Sequence, residues 1–217
     1  MNRLYLIIII GLISCNGKID SKEKRTKSDN NDTEKIELEL AKKQFLDTLN
    51  FVIGFDELSN ITDKKENQNL ELIRLFKSTF AFGMSEIIVV ELENKKEEIT
   101  LKEFQLEFKL NCNTPMYGYK DRQDFNRNCF KINRTQKRSI NFDEYKVVQD
   151  LIKDTGFFYT AYNQKTRVLC DGHSYTIKYI NPILWRNEIF SLERSCPSEK
   201  TAIYLIGEEL IKLTKLD

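Results

Sequence analysis

Chemistry in a folded chain begins with groups that can move a proton, attack a carbonyl or hold a metal. This sequence has one histidine, His173, inside Asp171-Gly172-His173-Ser174. An acid, an imidazole and a hydroxyl stand together there, the three groups of a nucleophilic relay. Neighbours on an extended chain point to opposite faces, however, so the stretch reads as an Asp-Gly turn followed by a strand. The 33 acidic residues could supply an acid–base pair, but no motif singles out two of them. G-x-S-x-G, the P-loop, G-x-G-x-x-G and H-E-x-x-H are all missing from the sequence. The expectation is a non-catalytic protein with no cofactor, and an enzyme working through paired carboxylates is the rival.

Five cysteines carry the remaining chemistry: Cys15, Cys112, Cys129, Cys170 and Cys196. No two of them stand at the short spacing of a zinc site, and one histidine cannot complete a ligand set, so no metal is expected. The last four are an even number and allow three disulfide connectivities. The pairs nearest in sequence, Cys112–Cys129 and Cys170–Cys196, are favoured; closing loops of this size contributes about 3 kcal/mol each on the chain-entropy model.

Between Cys112 and Cys129 lie Tyr117, Tyr119, Arg122, Phe125 and Arg127 among Asn, Asp and Gly. Tyr and Arg give contact area and directed hydrogen bonds at modest entropic cost. A disulfide across the loop base would preorganise them for a partner. Basic residues continue with Lys131, Arg134, Lys137 and Arg138, whereas the preceding segment is acidic, with Glu86, Glu91, Glu93, Glu97, Glu98, Glu103 and Glu107. That asymmetry favours an anionic ligand, either lipid headgroups or acidic glycan, or else a protein partner. The bland alternative is a solvated loop whose tyrosines fold back onto the core.

The N-terminus explains the fifth cysteine. Arg3 is followed by an apolar run from Leu4 to Ile13, the length of a signal h-region and too short to span a bilayer. Directly after it comes Leu12-Ile13-Ser14-Cys15, with a branched apolar residue at −3, a small one at −1 and then a thiol. This resembles the lipobox of bacterial lipoproteins. The resemblance implies that 1–14 is a removed signal and that Cys15 is acylated and anchors the chain to a lipid bilayer. Each buried methylene contributes about 0.8 kcal/mol, so two or three acyl chains hold firmly where one is marginal. Asn16 at +2 is not the aspartate that marks inner-membrane retention in some bacteria, which points to the outer membrane of the cell envelope. Residues 15–33 are almost wholly polar and read as a tether. Lys+Arg and Asp+Glu nearly cancel, at 34 and 33, so nothing points to nucleic acid. A protective role, blocking a toxin or a lytic enzyme, is a further alternative that would use the same loop.

The elements that position these residues follow from periodicity. Leu38, Ala41, Phe45, Leu49 and Val52 predict a helix stopped by Gly54, and Leu72, Ile73, Phe76 and Phe80 predict a second over 67–82, capped by Gly83. Glu86–Leu92 and Ile99–Leu110 read as strands joined around Asn94-Lys95-Lys96, and Asn111–Ser139 as a polar loop. Asn141 and Glu144 form a capping box, with Ile140 and Tyr145 as the hydrophobic staple, for a helix that carries Val148, Leu151 and Ile152 and ends at Gly156. Phe157–Tyr162 reads as an aromatic strand, and Thr166–Cys170 and His173–Ile180 as a hairpin with Tyr175, Ile177 and Tyr179 on one face. A strand over Glu188–Glu193 leads to Pro197 and to a last helix capped by Ser198, with Ile203, Ile206, Leu210 and Leu213 inward. Asp171-Gly172-x-x-Tyr175, this strand, Arg194-x-x-Pro197 and the closing helix together resemble the last third of some bacterial secreted and lipoprotein sequences with no assigned activity. The fold class expected is α+β: an antiparallel sheet, hairpin plus short meander, packed with about four amphipathic helices. It forms a single domain over 34–217, with 113–139 as the place for any split.

Overall fold

A computed structural model describes residues 40, 43–62, 69–81, 84–96, 98–109, 127–163, 172–181 and 188–215. The chain divides into two compact units, 1–44 and 45–217. Of the first, residues 40, 43 and 44 are described; the second contains every strand among the described residues.

Helical residues over 43–53 (α1) end at Gly54, whose φ of 72° suits glycine, and a short helix, α2, spans Leu58–Thr62. Three long strands follow, β1 (Leu70–Ala81), β2 (Met84–Lys95) and β3 (Glu98–Phe108). A 3-10 turn over Arg127–Cys129 leads into β4 (Phe130–Ser139). Two helices, α3 (Phe142–Asp154) and α4 (Phe157–Tyr162), then β5 (His173–Ile180), β6 (Ile189–Ser195) and α5 (Ala202–Leu213) complete the unit. The strands make one antiparallel sheet in the order β4-β3-β2-β1-β5-β6, so the fold is α+β. The first four strands form a meander, and the chain then crosses through α3 and α4 to lay β5 on the far side of β1.

That crossing puts β1 in the middle of the sheet with apolar layers on both faces. Ile73 and Leu75 join Val90, Leu92, Tyr145, Val148, Ile152, Phe157 and the inner side of α5. Leu70, Leu72 and Phe76 face the other way, towards Leu58 and Ile61 of α2 and towards Phe45, Leu49 and Ile53 of α1. Every side chain from Leu72 to Phe76 is therefore buried. This corrects the helix expected over 67–82. A strand covered on both faces loses its alternation, and its apolar residues then mimic helical spacing.

Three other expectations fail for local reasons. Phe157–Tyr162 is helical: Gly156, at φ 68°, closes α3 and restarts a helical turn. The last ten residues of the supposed loop over 111–139 are β4, an edge strand with little apolar alternation to betray it. Thr201, not Ser198, caps α5, while the Ser198 carbonyl accepts from the Thr201 N–H at 3.0 Å and from its hydroxyl at 2.7 Å. The capping box forms as read, with both Asn141–Glu144 hydrogen bonds at 2.9 Å. Strand Thr166–Cys170, Leu110 and Gly83 lie outside the described residues.

Helix α5 sits close on the sheet because of Gly207. A Cβ there would stand 2.8 Å from the Tyr175 ring and 3.5 Å from Leu75, so a methyl group would have to push the helix away. On the opposite face, the Arg74 guanidinium is buried among apolar neighbours, with relative exposure of 1%. Its Nε and one terminal nitrogen donate to Glu91 at 2.9 and 2.5 Å. The other nitrogen donates to Asn50 Oδ1 at 3.4 Å and to the Asp56 carbonyl at 3.1 Å. The Phe55 ring covers it at 4.4 Å.

Removing Glu91 leaves Arg74 a buried, uncompensated charge, and removing Arg74 leaves buried Glu91 with Lys102 alone and a cavity beside it. Arg74→Ala or Glu91→Gln is expected to cost about 3–5 kcal/mol in chemical denaturation, while Arg74→Met with Glu91→Leu recovers most of the loss. A double variant no better than the singles would show that the pair does not act as a unit.

Candidate functional site

Strand β4 pairs with β3 alone and is an edge of the sheet among the described residues. From Arg127 to Ser139 the sequence has five cations (Arg127, Lys131, Arg134, Lys137 and Arg138) and no carboxylate. Four of them are exposed. The fifth, Arg138, is drawn inward: its Nε donates to the Leu213 carbonyl at 3.1 Å and a terminal nitrogen to Glu144 at 3.1 Å. Lys131 lies 3.7 Å from Glu107, an exposed contact of small energetic value. Arg134 donates to Gln136.

A bulge shapes this edge. Lys131 pairs across from Glu107 and Ile132 from Leu106, but Arg134 pairs across from Gln105, leaving Asn133 as the extra residue. Without it, Lys131 and Arg134 would lie on opposite faces; with it they share one. Lys137 pairs across from Lys102 on the other face, which Ile132 shares. The edge therefore presents cations above and below its backbone.

The acidic segment opposite is less acidic than its sequence suggests. Glu91 and Glu93 turn inward to Lys102, at 3.0 and 3.2 Å, and Glu91 also holds Arg74. Burial by itself would lower the Lys102 pKa, but the two carboxylates outweigh it and raise it. Glu103 is buried, one oxygen taking a 2.8 Å bond from Gln105 and the other without a hydrogen-bond partner among the described residues. The charge asymmetry thus survives mainly on the β4 side.

Of the residues singled out from sequence, Cys15, Cys112, Tyr117, Tyr119, Arg122, Phe125 and Cys170 lie outside the described residues. Arg127 is exposed at the 3-10 turn that opens β4. Cys129 is buried beside it, Cys196 follows β6 at φ 45°, and both sulfurs are in disulfides. They stand at opposite edges of the sheet, so they are not partners of each other. The Cys129 carbonyl accepts from the Lys109 N–H at 2.9 Å. The Cys196 N–H donates to the His173 carbonyl at 2.7 Å, and its sulfur stands 3.1 Å from where a Cβ on Gly172 would be, two residues after Cys170. The pairing favoured from sequence joins Cys129 and Cys196 each to a cysteine, Cys112 or Cys170, that lies outside the described residues.

His173 and the carboxylates of Glu71, Glu144 and Glu208 each have a hydrogen-bond partner. His173 Nδ1 is 2.9 Å from the Thr79 hydroxyl, and Ser174, the next residue on the strand, faces the other way. Glu71 accepts from the Tyr145 hydroxyl and, at 2.7 Å, from the Tyr179 hydroxyl. Glu208 accepts from Tyr175 at 2.5 Å and Lys77 at 2.8 Å. Burial alone would raise the Glu208 pKa, but Lys77 and Tyr175 outweigh it and hold it below the usual carboxylate range. The Asn141 N–H does the same for Glu144. Both shifts run opposite to what a general acid needs.

Sequence reading missed the charged cluster around Arg74. A lone arginine inside Leu-Ile-Arg-Leu-Phe was the available signal, since a buried cation needs a partner. Lys178, across from Arg74 on β5, belongs to the same region; burial and then the Arg74 charge lower its pKa.

Two measurements test this arrangement. Peptide mapping without reduction is expected to recover Cys112 joined to Cys129 and Cys170 joined to Cys196; crossed pairs would overturn the pairing favoured from sequence. Burial first, and then the carboxylate each contacts, raise the pKa values of Tyr145, Tyr175 and Tyr179 above the ordinary value of 10.0. Their folded-state values exceed the unfolded ones, so their contribution to stability is whole below about pH 10 and is lost as pH rises beyond it. Absorbance titration is expected to show these three ionising only as the protein unfolds. Each Tyr→Phe variant should remove one such residue from that step.

No protein-family model matches this chain, and no curated protein aligns with it, so the functional reading rests on its residues.

Proposed function

We propose that this chain is a lipid-anchored protein of the bacterial cell envelope whose folded unit binds an anionic partner and performs no catalysis. The observation that carries the reading is the β4 edge: four exposed cations, no carboxylate between Arg127 and Ser139, and direct continuity with the Tyr- and Arg-rich segment over 112–129. Charge of one sign along an edge raises the local concentration of an oppositely charged ligand and speeds encounter. Anchoring at Cys15 rests on the Leu12-Ile13-Ser14-Cys15 motif. Among the described residues no helix is long and apolar enough to cross a membrane. The polar residues from Asn16 to Thr33 would then set how far the folded unit can reach from the bilayer.

The test uses the full chain in non-ionic detergent and an immobilised acidic polysaccharide as probe. Binding is expected to weaken as salt rises, because exposed charges are screened within about 10 Å at 0.1 M. Replacing Arg127, Lys131, Arg134 and Lys137 together by Gln should reduce it about tenfold or more, with unfolding midpoints unchanged. Equal retention of the two proteins would refute the anionic-partner reading.

A further inference from the structure

We propose that the β4 edge takes an extended acidic polypeptide segment as an added antiparallel strand. This rests on the anionic-partner reading above and names the class of partner. An edge strand offers two things together: a row of backbone N–H and C=O groups on its outer side and side chains alternating above and below it. Among the described residues β4 has a strand on one side only, along ten residues. From Lys131 to Lys137 it extends about 20 Å, long enough for several ladder bonds.

The side chains fix what the added strand must carry. On one face Lys131 and Arg134, aligned by the bulge at Asn133, call for carboxylates. On the other, Lys137 calls for a third, and two ladder steps along the same face an apolar position falls opposite Ile132, which is 42% exposed. Opposite charges directly across a ladder are favourable and like charges are not. A second copy of β4 would set cation against cation, so self-pairing along this edge is disfavoured. A flat anionic surface meets mainly one row of these cations and leaves the backbone groups to water. An acidic strand uses both rows and the backbone.

The experiment uses the full chain in detergent and a fluorescent peptide containing Glu-Thr-Thr-Glu-Val-Glu, which in antiparallel register sets carboxylates opposite Lys137, Arg134 and Lys131 and Val opposite Ile132. Three probes accompany it: the same peptide N-methylated at every second residue, inorganic polyphosphate, and phosphatidylglycerol in mixed micelles. Salt-sensitive binding of the unmodified peptide is expected, lost about tenfold or more in the variant with Lys131, Arg134 and Lys137 changed to Gln and again on N-methylation, which removes ladder donors. Equal binding of the methylated peptide would overturn strand addition while leaving the anionic-partner reading intact. So would binding of polyphosphate or anionic lipid without binding of peptide, which would assign the edge to those partners. Failure of every probe would overturn strand addition, and failure of the acidic polysaccharide as well would overturn both proposals and leave the cations of β4 as a guard against edge-to-edge aggregation.

Discussion

A guanidinium in the middle of a sheet must be neutralised before anything can be packed over it. Arg74 meets that constraint through Glu91, Asn50, the Asp56 carbonyl and the Phe55 ring, and so ties three elements to one charge. Without those partners, the end of α1 and the chain after it would have to cover an unsatisfied cation. With them, α1 and α2 can lie on the sheet and make β1 a central strand with apolar cover on both sides. The same cluster consumes Glu91 and Glu93 through Lys102. It thereby removes two carboxylates from the outer field and leaves the basic edge less opposed. Packing and surface electrostatics are coupled here through one buried charge.

The other face solves a similar problem with tyrosines. Tyr145, Tyr175 and Tyr179 contribute aromatic area to the core and need a polar partner for each hydroxyl. Glu71 serves two of them and Glu208 the third, so the carboxylates that look available in the sequence act as acceptors for buried hydroxyls. Glu71 and Lys77, the residue that holds Glu208, are six positions apart on β1, about 20 Å along a strand. Two hubs at that separation brace the sheet against α3 and α5, but they cannot share one proton as a catalytic pair does.

The sequence was legible where a local rule had one outcome. The capping box at Asn141 and Glu144, the stop at Gly54, and the shared inward face of Tyr175, Ile177 and Tyr179 all depend on neighbours a few residues away. It misled where a distant partner decided. Leu72, Ile73 and Phe76 satisfy a helical spacing, and only the arrival of β5 on one side and β2 on the other makes them a strand. Phe157–Tyr162 has strand-like composition, but the left-handed turn at Gly156 delivers it as a helix against Tyr179 and Phe190. The basic edge was half legible. Its charge was readable as composition, but its role as an edge depends on which strand has no second neighbour, and no pattern within β4 encodes that.

The bulge at Asn133 links that edge to a choice between two uses. Edge strands commonly carry lysines and bulges because both discourage unwanted pairing. A guard of that kind needs a charge pointing across the ladder and a local twist, and Lys131 with the bulge would already supply both. The cations at Arg134 and Lys137 go further, and the bulge brings Arg134 onto the face of Lys131 rather than dispersing the charge. Ile132, exposed on the face of Lys137, adds apolar surface that a guard would be better without. Excess charge, its alignment by a backbone irregularity and a retained apolar contact together favour a surface that selects one kind of strand over one that rejects all of them.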